Sequence, residues 1–440
     1  MAKINTYTTS QRSSRHIWLY SALAFLLTYG FFCIEYPDLV LDANNETFYN
    51  HGDLMVTHAD LIYHVEYDDD GTFTGMNYPD GEYIFMTDAN GSFATVFRWI
   101  DNYVVDISGV LPGLIMSIMY LCLGLCGMFI FLILIRFEID IWLALLLSPL
   151  ITLLSPQMAR FTAHLSLSYP MVLPIVMLWA VYKFRVNRLD VWDVAFSAAL
   201  FFLFINNAYI GFIMAMFAGL IGFILLILDY KTRQHRTGAL ILMAIPVIIT
   251  IAIYIILKVN DPYDDRLEVQ WGFFHYHSRI HGFFWPKYSL WSSLRGVDIY
   301  TDKRSVEWTN KLGLVPMILV LSGLVFFIIR RYIKKTAQPL FAKNKLLISL
   351  TVASILMFIF AANTTLFPIQ DFIEEHLEVL LMFKSSGRFS WPLYFVFALW
   401  AAKILQAWVD RILLSQKRYL LGLIVPLLLL WGYEVDFYLS

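Results

Sequence analysis

The apolar residues of this chain fall in long, nearly uninterrupted runs, with no sustained alternation of apolar and polar positions. Eleven runs stand out, near residues 17–35, 111–135, 141–157, 165–182, 191–207, 209–229, 238–257, 312–329, 346–362, 389–408 and 419–433. A helix needs about 20 mostly apolar residues to cross the hydrocarbon of a bilayer, and the runs approach that length. The pattern predicts an all-α membrane protein with about 11 transmembrane helices, forming one polytopic domain over residues 1–440. Composition agrees: 59% of the residues are hydrophobic and 15% are charged. The runs on either side of Asn206 and Asn207 read as two spans or as one broken segment.

Arg12, Arg15 and His16 precede the first run, as they would a secretory signal. FFCIEYPD, however, holds no small-residue cleavage site, and Phe32 stands before Cys33 where a lipoprotein site needs a small residue, so the run is expected to remain as a span. Lys and Arg in short loops are retained on the cytoplasmic side. With the N-terminus inside, the N-terminal segment and the short inner connections carry twenty of the 32 basic residues, including the cluster Arg330, Arg331, Lys334, Lys335, Lys343 and Lys345. The C-terminal YEVDFYLS then lies outside. Cys122 and Cys126 sit one turn apart in the second span, where packing is the default role, and three cysteines in these positions imply no disulfide framework.

Three outer loops are long enough to carry function: residues 36–106, 258–311 and 363–388. Outside the cell there is no nucleotide pool, so group-transfer chemistry there calls for a lipid-linked donor. No Asp, Glu, Lys, Arg or His falls in the middle of a span, which argues against an ion-coupled transporter but not against a passive lipid translocator. No nucleic-acid partner is expected.

The first outer loop is acidic, with fourteen carboxylates and Arg98 between Pro37 and Asp106. Asp68, Asp69, Asp70 and Gly71 read as a turn with an exposed acidic rim. Residues 92–105 predict an amphipathic helix lying along the membrane surface, with Ser92 as N-cap and Phe93, Val96, Phe97, Ile100, Tyr103 and Val104 as its apolar stripe. HGDLMVTHADLIYH, residues 51–64, has the histidines and aspartates of a metal site, but ligands must converge. At ~100° per residue, Asp53, Thr57, Asp60 and His64 fall within about 60° of one another. Leu54, Leu61 and Val65 take the adjacent face with Ile62 and Met55, while His58 points away from the polar stripe and His51 precedes the helix. Asp53 after Gly52 also suits an N-cap, a role compatible with facing a substrate. For His58 and His64, packing at the surface or membrane interface is the default.

Four stretches resemble the GT-C superfamily of polytopic glycosyltransferases, and within it a family of uncharacterised bacterial membrane proteins. They are the first loop with Gly52 and Asp53 followed by NYPDGEYIFMTD, which ends on Asp88; RFTAHLSLS from Arg160; VEWTNKLGL, containing Glu307; and SSGRFSWP from Ser385. The resemblance implies an enzyme of the bacterial inner membrane that moves a sugar from a polyprenyl-phosphate donor to a cell-surface glycan or lipid acceptor. A first-loop carboxylate would act as general base, with Asp53 the first candidate and Asp88 the second. Asp60 and His64 would bind substrate on the same helix face. Arg160 with His164, and Arg388 at the start of the tenth span, sit at the depth of a lipid phosphate and would bind it. Single arginines at this depth also serve as interfacial anchors. The second large loop adds Arg266, His275, His277, Arg279, His281, Trp271, Trp285 and Trp291, most of which are left out of the site.

The family's metal-dependent DxD arrangement is only loosely present at Asp68–Asp70, so no metal ligand is assigned and a divalent cation stays open. Relatives often continue into an extracytoplasmic domain, whereas this sequence stops at Ser440, so acceptor recognition is expected to be reduced or supplied by a partner subunit. The rival readings are a lipid-binding or lipid-translocating protein that keeps the scaffold without the chemistry, and a non-catalytic subunit of a surface-polysaccharide assembly.

Overall fold

The structure, a computed structural model, describes residues 14–45, 52–77, 79–161, 164–261, 272–280, 312–329, 332, 344–363, 366–376, 381, 383–415 and 421–439. They form an all-α membrane protein with one two-stranded ribbon. Nine of the described helices are long and apolar enough to cross a membrane, and Val191–Asn206 and Leu314–Ile328 are shorter apolar helices. All eleven apolar runs are thus helical, but two fall short of the spanning length expected for them.

The helices are α1 (Ser14–Glu35), α2 (Pro37–Leu41), α3 (Gly52–Tyr67), α4 (Gly91–Tyr103), α5 (Leu111–Arg136), α6 (Ile141–Leu153), α7 (Val172–Arg185) and α8 (Val191–Asn206). They continue with α9 (Ala208–Leu228), α10 (Arg236–Asn260), α11 (Leu314–Ile328), α12 (Lys345–Ala362), α13 (Gln370–His376), α14 (Trp391–Ser415) and α15 (Leu421–Leu439). Lipid offers helices no hydrophobic reason to associate, so close packing must hold them, and small residues permit it. Gly127 shows this on α5, where an added Cβ would stand 2.0 Å from Thr28 Oγ1 of α1.

Hydrogen bonds sort the helix ends into two faces. On one, the Tyr36 hydroxyl donates to the Leu439 carbonyl, Tyr120 donates to Leu39, and the Glu434 carboxylate accepts from the first N–H groups of α11, those of Leu314 and Val315. Glu434 lies just beyond the run read as the last span, yet α15 extends to Leu439 and buries it. On the other face, Lys403 donates to the Phe137 carbonyl, Asp140 N–H donates to Gln406, and Lys345 pairs with Asp229 at 2.6 Å. The described ends of the basic connections, at Arg136, Arg185, Arg236 and Lys345, fall on this second face, and the described part of the first loop falls on the other.

The described residues of the 36–106 segment form a packed cap. Its ribbon pairs β1 (Thr72–Phe73) with β2 (Glu82–Tyr83), Thr72 opposite Tyr83 and Phe73 opposite Glu82. α3 lies against α4 and α5, and α4 against α8. The 68–71 turn differs from expectation: Asp68 is buried, accepting from the Thr74 N–H and hydroxyl and pairing with His64, while Asp69 and Asp70 remain exposed. Helix α4 is capped two residues earlier than expected. Asn90, in the left-handed region at φ 58°, precedes it, and Ser92 donates to the Phe202 carbonyl of α8 instead of capping. The expected stripe is split, because Phe97 is buried while Val96, Tyr103 and Val104 stay exposed, as they would against lipid.

Candidate functional site

Helix α3 begins at Gly52, which puts Asp53 inside its first turn instead of at the N-cap position. There the carboxylate still benefits from the helix dipole. The buried positions Leu54, Thr57, His58, Leu61, His64, Val65 and Asp68 follow helical spacing and seat α3 on the bundle. Met55, expected on that apolar face, is exposed. His58 and His64 are not surface residues: both are buried, and burial pushes the His58 imidazole down to about 4. For His64 burial is the largest effect and also lowers it, against the opposing bond from Nδ1 to Asp68 at 2.9 Å. His64 therefore faces the Asp68 turn and fastens the cap.

Asp53 points across to His164, whose Nε2 lies 3.3 Å from Asp53 Oδ2. The other nitrogen of the ring, Nδ1, lies 3.1 Å from Asp88 Oδ2. A segment from the far side of α6 thus places one imidazole between both proposed catalytic carboxylates. Each ring nitrogen thus faces one carboxylate oxygen. All three remain accessible: the side chains of Asp53, Asp88 and His164 are 64%, 45% and 24% exposed.

The remaining oxygen of Asp88, Oδ1, accepts the Ser166 hydroxyl at 3.2 Å, and Ser166 in turn accepts Asn207 Nδ2 at 2.8 Å. Partial loss of hydration is the largest single effect on Asp88 and pushes its carboxyl up. The His164 bond and charge, the Arg388 charge and the Ser166 bond together outweigh it and hold the group below the usual carboxylate range. Asp60, two turns along α3 from Asp53, is buried beside Asp88, and burial and that negative charge push its carboxyl up to about 6. Neighbouring carboxylates with values driven apart are a common arrangement at sites that move protons.

Arg388 lies in the one-turn 3-10 helix Ser386–Ser390 ahead of α14. Its guanidinium stacks 4.5 Å from the Tyr209 ring centre, and the Tyr209 hydroxyl accepts the Ser385 N–H at 2.8 Å. Residues 272–280 brace this turn: Tyr276 O accepts from Gly387 N–H, Ser278 donates to the Gly387 carbonyl, and Asn363 Nδ2 reaches Phe273 O. His275, His277 and Arg279 belong to this brace, whereas Arg266, Trp271, His281, Trp285 and Trp291 lie outside the described residues, as do His51, Tyr78, Thr162, Ala163 and Glu307.

Of the expected phosphate-binding trio, Arg388 and His164 both act on Asp88, while Arg160 sits apart from Asp88. His164 also serves Asp53, and Arg160 is buried at the end of the 3-10 turn Pro156–Arg160, within electrostatic reach of Tyr438 on α15. Among the described residues no three His, Cys, Asp or Glu side chains group as a metal shell. The loosely DxD-like turn does not fit one either, because Asp68 is committed to His64 and Thr74.

The chain belongs to the family described as "Domain of unknown function (DUF6311)", which matches residues 25–430. That match takes in every residue of the site. No curated protein and no solved structure matches the chain.

Sequence reasoning missed Ser166, Asn207 and Tyr209. RFTAHLSLS contained Ser166, and the Asn206-Asn207 pair was visible as a break, but nothing local connects either to Asp88. Their signal was the placement of polar side chains between apolar runs, where a hydrogen-bonding residue must find a partner.

Proposed function

We propose that this protein is an extracytoplasmic glycosyltransferase of GT-C type with eleven membrane segments, resident in a bacterial inner membrane with its N-terminus in the cytoplasm and its C-terminus outside. It takes a sugar from a polyprenyl-phosphate donor and passes it to a cell-surface glycan or lipid. The observation that carries this reading is His164 held between Asp53 and Asp88 at the rim of the bundle. A carboxylate with an exposed oxygen, backed by an imidazole, suits the removal of a proton from a poorly nucleophilic sugar hydroxyl.

In this reading Asp53 takes the acceptor proton as the acceptor oxygen bonds to the anomeric carbon. The bond from that carbon to the phosphate oxygen breaks, and its electron pair leaves with polyprenyl phosphate. Arg388, the cation that acts on Asp88, stabilises the charge gained by the phosphate. His164 shares the proton taken by Asp53, and Asp88 keeps the ring in place. Asp60 faces the acceptor from the same helix.

The test is purified protein in proteoliposomes supplied with a panel of polyprenyl-phosphate sugars, following donor consumption and release of polyprenyl phosphate. Turnover is expected in the native protein and its loss in Asp53→Asn, with donor binding retained. Full turnover in both Asp53→Asn and Asp88→Asn would remove the catalytic proposal. Donor binding without turnover, joined to copurification of a stoichiometric partner, would instead make the protein a non-catalytic subunit.

A further inference from the structure

We propose that the consecutive asparagines at the α8–α9 joint are positioning residues for this site, Asn207 acting through Ser166 on the Asp88 carboxylate and Asn206 acting through Asn90 on the turn that carries it. The joint is a single extended residue, Asn207, at φ −158° and ψ 117°. Its side chain does two things with one amide. The oxygen accepts the Tyr209 N–H at 3.0 Å and so caps α9, while the nitrogen donates to Ser166 Oγ at 2.8 Å. A hydroxyl that accepts from one side has its own proton directed to the other, here to Asp88 Oδ1 at 3.2 Å. That leaves Oδ2 for His164 at 3.1 Å. Each carboxylate oxygen has one protein partner, which fixes the plane of the group.

Asn206 secures the other strand of the site. Its Nδ2 donates to Asn90 Oδ1 at 3.2 Å, and the same oxygen accepts the buried Tyr169 hydroxyl at 2.7 Å. Asn90 lies two residues beyond Asp88 in the left-handed region, which asparagine adopts more readily than other non-glycine residues, and these two bonds fix its side chain there. Tyr209, in the first turn of α9, carries Arg388 on its ring. The joint therefore governs three contributions at Asp88: the Ser166 bond, the backbone turn and the Arg388 charge. The charged groups facing Asp88 are His164, Arg388 and Asp60, with Asp53 beyond His164.

An asparagine is the side chain that fits the joint. Aspartate would cap α9 without a donor for Ser166, and serine would cap it without the reach. Asn207→Ser thus keeps the cap and the neutral charge while cutting the relay, and Ser166→Ala cuts it one bond later. The readout is the titration of the Asp88 carboxyl carbon by NMR in aspartate-labelled protein in nanodiscs, identified by its loss in Asp88→Asn. In Ser166→Ala the titration is expected to move up by about one pH unit, the scale of one charge-assisted hydrogen bond, and in Asn207→Ser it is expected to move the same way by less. The double variant should move no further than Ser166→Ala alone. Donor turnover, where the proposed function supplies it, should show its acid limb moving with the titration.

An unmoved Asp88 titration in folded Asn207→Ser or Ser166→Ala overturns the inference, whatever happens to rate or melting temperature. A moved titration together with turnover indifferent to Asp88→Asn would uphold the positioning role and sink the glycosyltransferase reading instead.

Discussion

Two polar clusters sit at opposite ends of the bundle, and they are built on opposite plans. At the face of the basic connections, Lys183 is fully buried and pairs with Asp193 at 2.6 Å and Asp190 at 3.6 Å, its third donor going to the Arg188 carbonyl. Asp193 also accepts from Trp179 Nε1 and from the Asp190 N–H. Asp190 and Asp193 form a capping box that starts α8. The hydrogen-bonding capacity of Lys183 is matched here, one ammonium shared by two carboxylates and a carbonyl, and the cation is closed off from solvent. At the other face, Asp53, Asp60 and Asp88 surround His164 within reach of Arg388, like charges lie close together, and no donor among the described residues reaches Asp60. Matched burial fits a structural role. Unmatched, open charge is costly to keep and fits a site that completes itself with a substrate.

The sharpest way to break this comparison is to neutralise one member of each cluster. Asp53→Asn should reduce turnover by about 10²–10⁴, the range of a general base, while leaving the melting temperature nearly unchanged because its side chain is 64% exposed. Lys183→Ala should do the reverse. Removing one partner of a buried ion pair costs about 3–5 kcal/mol, read as a lowered detergent-phase unfolding transition, with turnover per folded molecule retained.

A smaller effect is read by pH within the open cluster. Asp60 is raised to about 6, so between the usual carboxylate range and pH 6 the folded protein binds a proton that the unfolded chain has released. Stability should therefore fall as pH rises through that window, by about 2–3 kcal/mol in all, and Asp60→Asn should lack that part of the slope. Asp88, held below its usual range, contributes stability that is lost only as pH falls further, through its lowered value. Melting curves of the native protein and Asp60→Asn from pH 2 to pH 8 distinguish these signs. The smallest effect belongs to a simple cap: Asp140 accepts the Trp142 N–H at 2.9 Å, and Asp140→Ala should destabilise by about 1 kcal/mol without touching turnover.

Much of the fold was legible because its signals are local. Apolar run length located the eleven helical segments, and helical phase on α3 grouped Asp53 with Asp60, while His64 of the same predicted stripe turned instead to Asp68. The Asn206-Asn207 break was visible as an interruption between runs. The errors also have a common cause. Ser92 for Asn90 as the residue opening α4, Asp53 as a cap, Asp68 as an exposed rim and His58 as an interfacial residue all assumed that the nearest solvent or backbone group would satisfy each side chain. In the folded cap, partners from elsewhere did so: Phe202 for Ser92, His164 for Asp53, Thr74 for Asp68.

The sequence by itself determined the membrane class, the helical segments and the candidate residues, because hydrophobic run length and a helical period are properties of a few dozen neighbouring residues. Which candidates meet was decided only by the tertiary structure. Arg160 and His164 are four residues apart, yet one is buried near Tyr438 and the other joins Asp53 to Asp88, since the chain turns through two 3-10 segments between α6 and α7. A site assembled from α3, the turn before α4, the α6–α7 connection and the α8–α9 joint depends on how separate helices pack, and packing is not written in the period of any one of them.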